Sequence, residues 1–172
     1  MQVSIRPWKM DDAADLAVAM NNKKVQDNLR DGIPYPYTTD DAIDFLAGVM
    51  AADKDSQYAF AILCDGTLAG SIGVYRSANV HRYTAEMGYF IAEPFWGRGI
   101  TTEAVKQTCR YIFAHTDIAR IFAEPYAYNT ASCRVLEKSG FQLEGVLREN
   151  AVKNGVTVDM KIYSLLRTDP AR

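Results

Sequence analysis

Two short segments carry residue types from which chemistry can be built. In Trp96-Gly97-Arg98-Gly99-Ile100-Thr101-Thr102, two glycines stand just ahead of an apolar helical repeat. The first amides of such a helix have no intrahelical partner and lie at the positive end of its dipole, a place that suits a phosphate. A purely structural tight turn would use the same residues, so the motif alone leaves both readings open. No G-K-[ST] follows, and the third glycine of a dinucleotide fingerprint is missing, so nucleotide hydrolysis and hydride transfer recede. The second segment runs from Asn129 through Ser132 to Gly140-Phe141. Asn129 as helix cap, Val135 and Leu136 as core, and Gly140 as a left-handed terminus explain most of it. Ser132, early in that helix, is the residue left over.

Outside these segments the reactive side chains form no catalytic or metal-binding pattern. His81 and His115 are the only histidines, and they read as surface or capping residues. Cys64, Cys109 and Cys133 are odd in number and contain no C-x-x-C pair, so neither a disulfide framework nor a metal site is expected, and a reducing cytoplasm fits. With 19 Lys+Arg against 21 Asp+Glu, the formal charge is −2. That balance provides no basic field for a nucleic-acid partner, so any bound anion must be held locally. No apolar run approaches membrane-spanning length, and the amino terminus lacks a basic flank and signal core. The expectation is a soluble, unprocessed, cytoplasmic protein with no membrane partner.

The elements that must position these segments follow from periodicity and breakers. At 172 residues and 48% apolar, the chain can bury one sizeable core, so residues 1–172 are expected to form a single domain. Val3 and Ile5 open a strand that Pro7 stops, and Asp11 and Asp12 are cap candidates for a helix through Met20. Asp31 to Tyr37 is a breaker-rich but apolar loop, after which Thr39 or Asp40 caps a helix through Met50. Tyr58–Cys64 and Thr67–Tyr75 flank Asp65-Gly66 as a hairpin, and Tyr83–Ile91 continues the meander. Helix from Thr101 to Thr116, strand from Ile118 to Ala123 and the Asn129 helix follow. Phe141–Leu147 and Thr157–Leu166 then pair through a connection containing Asn154-Gly155. The order implies a mixed α/β (α+β) domain whose sheet carries helices on both faces.

Together, Glu86-Met-Gly-Tyr-Phe-Ile91, Phe95-Trp-Gly-Arg-Gly-Ile-Thr-Thr-Glu-Ala104 and Asn129-x-x-Ser132 with Gly140-Phe141 resemble the GNAT superfamily of acetyl-CoA-dependent N-acetyltransferases. The likeness is greatest to its Rim-type branch, that of ribosomal-protein-alanine N-acetyltransferases, and it covers essentially the whole chain. Ile5-Arg6-Pro7, Pro36-Tyr37-Thr38, Glu144-Gly145 and Asp159 also take part in it. It implies a mostly antiparallel sheet splayed at one parallel pair, acetyl-CoA as acetyl donor, and an amine acceptor.

By the same resemblance, the amides of Arg98, Gly99, Ile100, Thr101 and Thr102 cradle the pyrophosphate, with Arg98 adding charge. Pantetheine lies along Phe90, Ile91 and Ala92 as an added strand, and a main-chain N–H of that strand faces the thioester oxygen. Many members use as acid a tyrosine seven residues after the capping asparagine, where this chain has Leu136. The branch's serine corresponds to Ser132, which then donates to the CoA sulfur while Asn129 orients it or the pantetheine. Glu86 is favoured as base facing the acceptor, although a carboxylate paired to Arg or Lys reads equally well there. A base shortly after the Glu-Gly pair is missing, since Ala151 stands at the matching position and Glu149 two residues earlier. Cys133, next to Ser132, points elsewhere on the helix and reads as a buried structural thiol. Tyr35 and Tyr37 are placed by the resemblance over the acceptor groove.

The expected activity is acetyl transfer to a primary amine by direct attack in a ternary complex, with a protein N-terminus as preferred acceptor. A small amine such as a polyamine, amino acid or antibiotic is the alternative, and a non-catalytic CoA-binding module is the alternative of another class. Either a monomer or a homodimer through the final hairpin is compatible with the pattern.

Overall fold

The proline that ends β1 (Val3–Pro7) turns the chain through a 3-10 turn at Met10–Asp12 into α1 (Ala13–Met20). Asp12 makes no side-chain cap to that helix. Its carboxylate instead accepts from both terminal nitrogens of Arg6 at 2.7 and 2.8 Å and from the Lys9 amide at 2.9 Å. A short helix, α2 (Lys23–Gln26), is capped by the Asn22 side chain. The cap of α3 (Thr39–Ala51) is Thr38, one residue before the expected candidates. Its hydroxyl accepts from the Asp41 amide while the Asp41 carboxylate accepts from the Thr38 amide.

The computed structural model describes residues 1–170, and its strands form one sheet. β2 (Gln57–Cys64) and β3 (Thr67–Arg76) meet across Asp65-Gly66, whose φ values of 49° and 82° are those a type I′ turn requires. β4 (Thr84–Ile91) pairs antiparallel with β3. A Cβ on Gly70 would lie 2.2 Å from the Phe90 carbonyl oxygen, so only glycine lets these strands approach there. α4 (Ile100–His115) leads to β5 (Arg120–Ala123), which runs parallel to β4. α5 (Thr130–Lys138), β6 (Gln142–Lys153) and β7 (Val156–Leu166) complete the chain.

The strand order is β1-β2-β3-β4-β5-β7-β6, antiparallel except at β4/β5, as expected of the mixed fold. Ile62, Ile72 and Val74 pack with Ile100, Ile112 and Leu136 on one face. Trp8, Leu16 and Leu46 pack with Ala61 on the other. β6 outruns its expected end at Leu147. The register shifts between Leu147 and Ala151, and Glu149 there adopts a φ of 52°, so a bulge breaks the two-residue alternation by which a strand is read. Asn154-Gly155 forms the last turn with φ of 50° and 75°.

Candidate active site

Parallel pairing of β4 with β5 ends at Glu86↔Phe122, although β4 continues to Ile91. β5 stops at Ala123 and is followed by Glu124-Pro125, whose proline has no N–H to continue a ladder. The strands therefore part, and β4 beyond Glu86 keeps β3 on one side but has no strand on the other. The gap opens into a cleft of about 600 Å³ bounded by β4, the loop before α4, the end of β5 and α5.

The loop before α4 forms one end of this cleft. Gly97 and Gly99 have φ of 72° and 76°, and Gly99 caps the helix without a side chain. The first intrahelical bond runs from Glu103 N–H to the Gly99 carbonyl at 3.2 Å, so the amides of Ile100, Thr101 and Thr102 precede it. Arg98 lies over the Phe95 ring at 5.6 Å. Arg134 and Lys138, both exposed on α5, line the same cleft. Backbone amides, a helix dipole and three cations thus share this part of the site.

Midway, α5 meets β4. Asn129 caps α5 by accepting from the Ser132 amide at 3.1 Å. The Tyr89 hydroxyl lies 2.8 Å from Ser132 Oγ and 3.3 Å from the Ser132 carbonyl oxygen. Burial raises the Tyr89 phenol well above its ordinary pKa, so it remains a protonated donor. Cys133, beside Ser132, is buried in the core with Leu136. The Cys109 thiol is pushed up to about 12 by burial.

The other end is acidic. Glu86 is ion-paired to Arg30, whose Nη2 is also 3.7 Å from a Glu124 oxygen. Tyr75 and Tyr126 line this end as well. Burial, then the charge of Glu86, raises the Tyr75 phenol. Arg30 is carried by the segment after α2, where the Leu29 carbonyl accepts from the Tyr126 hydroxyl at 3.2 Å.

Of the residues expected from the sequence, Glu86, Phe90, Ile91, Arg98, Gly99, Ile100, Thr101, Thr102, Asn129 and Ser132 line this one cleft. Three others are placed elsewhere. Ala92 is buried, and its amide is committed to the Ala69 carbonyl at 2.8 Å. Tyr37 is a core residue whose hydroxyl donates to the Asp41 carbonyl at 3.3 Å, and Tyr35 is exposed and does not line the cleft. The apolar loop that carries them supplies packing for α1 and α3, which accounts for its composition. Arg30 and Glu124 lie in no sequence motif, and Tyr89, although inside Glu86–Ile91, carries no signal there of a role toward Ser132. The alternation of β4 puts Tyr89 on one face with Met87 and Ile91, but its meeting with Ser132 is a tertiary event. Among the described residues no metal-binding cluster occurs, and no helix is long and apolar enough to cross a membrane.

A parallel pair that parts beside a helix N-terminus without a side-chain cap gives this cleft free backbone amides at one end and an open strand edge beside them. The chain belongs to the Acetyltransferase (GNAT) domain family, whose match covers residues 2–142. It is 37% identical over 119 residues to "Probable N-acetyltransferase YjcK" of Bacillus subtilis, covering 68% of this chain and 66% of that one. To the spermidine N(1)-acetyltransferase of Escherichia coli K12 it is 27% identical over 153 residues, 89% of this chain and 80% of the relative. The fold superposes with a TM-score of 0.86 on Mycobacterium smegmatis RimJ in complex with CoA-disulfide, at 24% identity and covering 95% of this chain and 81% of that one. Matches to three Bacillus subtilis relatives span 56–66% of their own lengths, under two thirds.

Proposed function

We propose that this protein is an acetyl-CoA-dependent N-acetyltransferase that moves the acetyl group to a primary amine by direct attack in a ternary complex. The observation that carries this reading is the parting of β4 from β5 beyond Glu86↔Phe122, with free amides and cations at one end and carboxylates at the other. Acetyl-CoA fits that polarity. Its pyrophosphate matches the amides from Gly99 to Thr102 together with Arg98, and Arg134 and Lys138 extend the cationic wall. Its pantetheine amides match the edge of β4 beyond Glu86 that β5 leaves open, where the Ile91 carbonyl already accepts from the Trp96 indole at 2.8 Å.

Catalysis then divides between the two strands and α5. The acceptor releases one proton to solvent and attacks as a neutral amine: its nitrogen forms a bond to the acetyl carbon, the carbon–sulfur bond breaks to leave CoA thiolate, and the remaining excess proton passes to Glu86 directly or through water. Ser132 donates a hydrogen bond to the sulfur as negative charge develops on it. A serine hydroxyl is too weak an acid to do more. Tyr89 supports this role when its single phenolic proton goes to Ser132 Oγ, 2.8 Å away, which leaves the Ser132 proton for the sulfur. Because Cys133 is buried, no acetyl-cysteine intermediate is invoked.

The acceptor in this reading is a protein α-amine or a small amine. Among relatives, the ribosomal-protein-serine acetyltransferase of Escherichia coli, 27% identical over 116 residues, stands for the first and the spermidine enzyme for the second. A cytoplasmic location is part of the proposal and is supported by three free, buried cysteines. Thiol release from acetyl-CoA in the presence of peptides and small amines tests the activity. Release that rises with acceptor supports transfer, whereas CoA binding without acceptor-stimulated release supports a non-catalytic module.

A further inference from the structure

We propose that Arg30 sets acceptor selectivity: lying between Glu86 and Glu124, it leaves the acceptor end with one uncompensated negative charge and so favours singly charged amines over polyamines. The inference rests on the acetyl-transfer reading above. Without Arg30, two carboxylates would face the acceptor from β4 and from the end of β5, an arrangement suited to a polycation. With it, the guanidinium pairs with Glu86 and stands 3.7 Å from Glu124. An arriving ammonium balances the remaining charge, while each further positive charge on the same molecule meets the guanidinium paired with Glu86.

Arg30 is 60% exposed, and a surface arginine on a free loop would simply swing away. The backbone that carries this one is anchored on both sides, and its guanidinium is held by the Glu86 pair. The Leu29 carbonyl accepts from the Tyr126 hydroxyl, and the Asp31 carboxylate takes the Lys153 ammonium at 2.8 Å, a lysine whose side chain is only 8% exposed. Among the described residues, the Nε and Nη1 groups of Arg30 have no hydrogen-bond partner. They are free to donate to a carbonyl oxygen next to the acceptor amine, which a peptide has and a polyamine lacks.

The test compares wild type, Arg30→Met and Arg30→Lys with two acceptors, a short neutral peptide bearing a free α-amine and spermidine. The wild-type protein should show the higher kcat/KM with the peptide. Arg30→Met should shift the ratio toward spermidine by about tenfold or more, and Arg30→Lys, which keeps the charge, should shift it much less. An unchanged ratio in Arg30→Met, or an equal shift in both variants, overturns the proposal. Calorimetric titration of spermidine into protein saturated with CoA reads the same discrimination without turnover. If no amine is acetylated by any of the proteins, the transfer reading fails, and the spermidine affinities still decide Arg30: tighter binding by Arg30→Met upholds the charge argument and equal binding overturns it.

Discussion

The phenol of Tyr89, on β4, lies 2.8 Å from the hydroxyl of Ser132, on α5, and 3.3 Å from the Ser132 carbonyl oxygen. Burial keeps the phenol protonated, so it has a proton to give to Ser132 Oγ, and in that arrangement the serine proton is left for a partner in the cleft. Ser132→Ala should lower kcat by about ten- to a hundredfold, the loss expected for one hydrogen bond to a charged sulfur, with little change in CoA affinity. Tyr89→Phe should lower kcat by less. Because the two act as one unit, the double variant should be little worse than Ser132→Ala alone in steady-state kinetics. Additive losses would separate Tyr89 from the serine.

Gly99 holds a φ of 76° in open space, with no atom within 4 Å of an added Cβ. Gly99→Val therefore meets strain rather than a clash, on the order of 1–2 kcal/mol for a left-handed non-glycine residue. Relief of that strain turns the first amides of α4 away from the phosphate. CoA titrated into the variant by calorimetry should bind about tenfold more weakly or worse, and unaltered affinity would remove the loop from the phosphate site.

Gly70 makes the opposite case. An added methyl would sit 2.2 Å from the Phe90 carbonyl oxygen, and backbone cannot yield as a flexible side chain does. Gly70→Ala should lower the unfolding free energy by about 1–3 kcal/mol in denaturant titrations and weaken CoA binding, since it displaces the strand edge at Phe90 and Ile91.

The Arg6 hydrogen bonds hold the Asp12 carboxyl below the usual carboxylate range. A depressed folded-state pKa stabilises the fold above the unfolded-state value near 4 and loses that contribution as pH falls through the folded-state value. Urea unfolding at a series of pH values should show wild type losing stability from about pH 4 downward. Asp12→Asn should be less stable at neutral pH and less sensitive to acid. Parallel pH curves for the two proteins would contradict this role for the pair.

Local signals with one physical solution were legible in the chain. Asp65-Gly66 and Asn154-Gly155 turn as those dipeptides demand, Asn129 caps α5, and the Gly97 and Gly99 loop opens α4. What escaped depends on meetings between distant segments. Arg30 and Glu86 are 56 positions apart and share no motif. The resemblance puts Tyr37 over the acceptor groove, yet its amide donates to Asn21 and it closes the core beneath α1 and α3. The vacancy of a tyrosine at Leu136 was legible, while the phenol that reaches Ser132 from β4 was not, because strand alternation gives a face and not a neighbour.

Acetyl transfer by the cleft is read by the initial rate of thiol release from acetyl-CoA at increasing amine concentration, with mass analysis of the acceptor. Release should saturate with amine, the acceptor should gain one acetyl group per thiol released, and Glu86→Gln should lose about a hundredfold or more in rate, since that carboxylate takes the amine proton. CoA bound at the cleft with no amine able to stimulate release would contradict acetyl transfer.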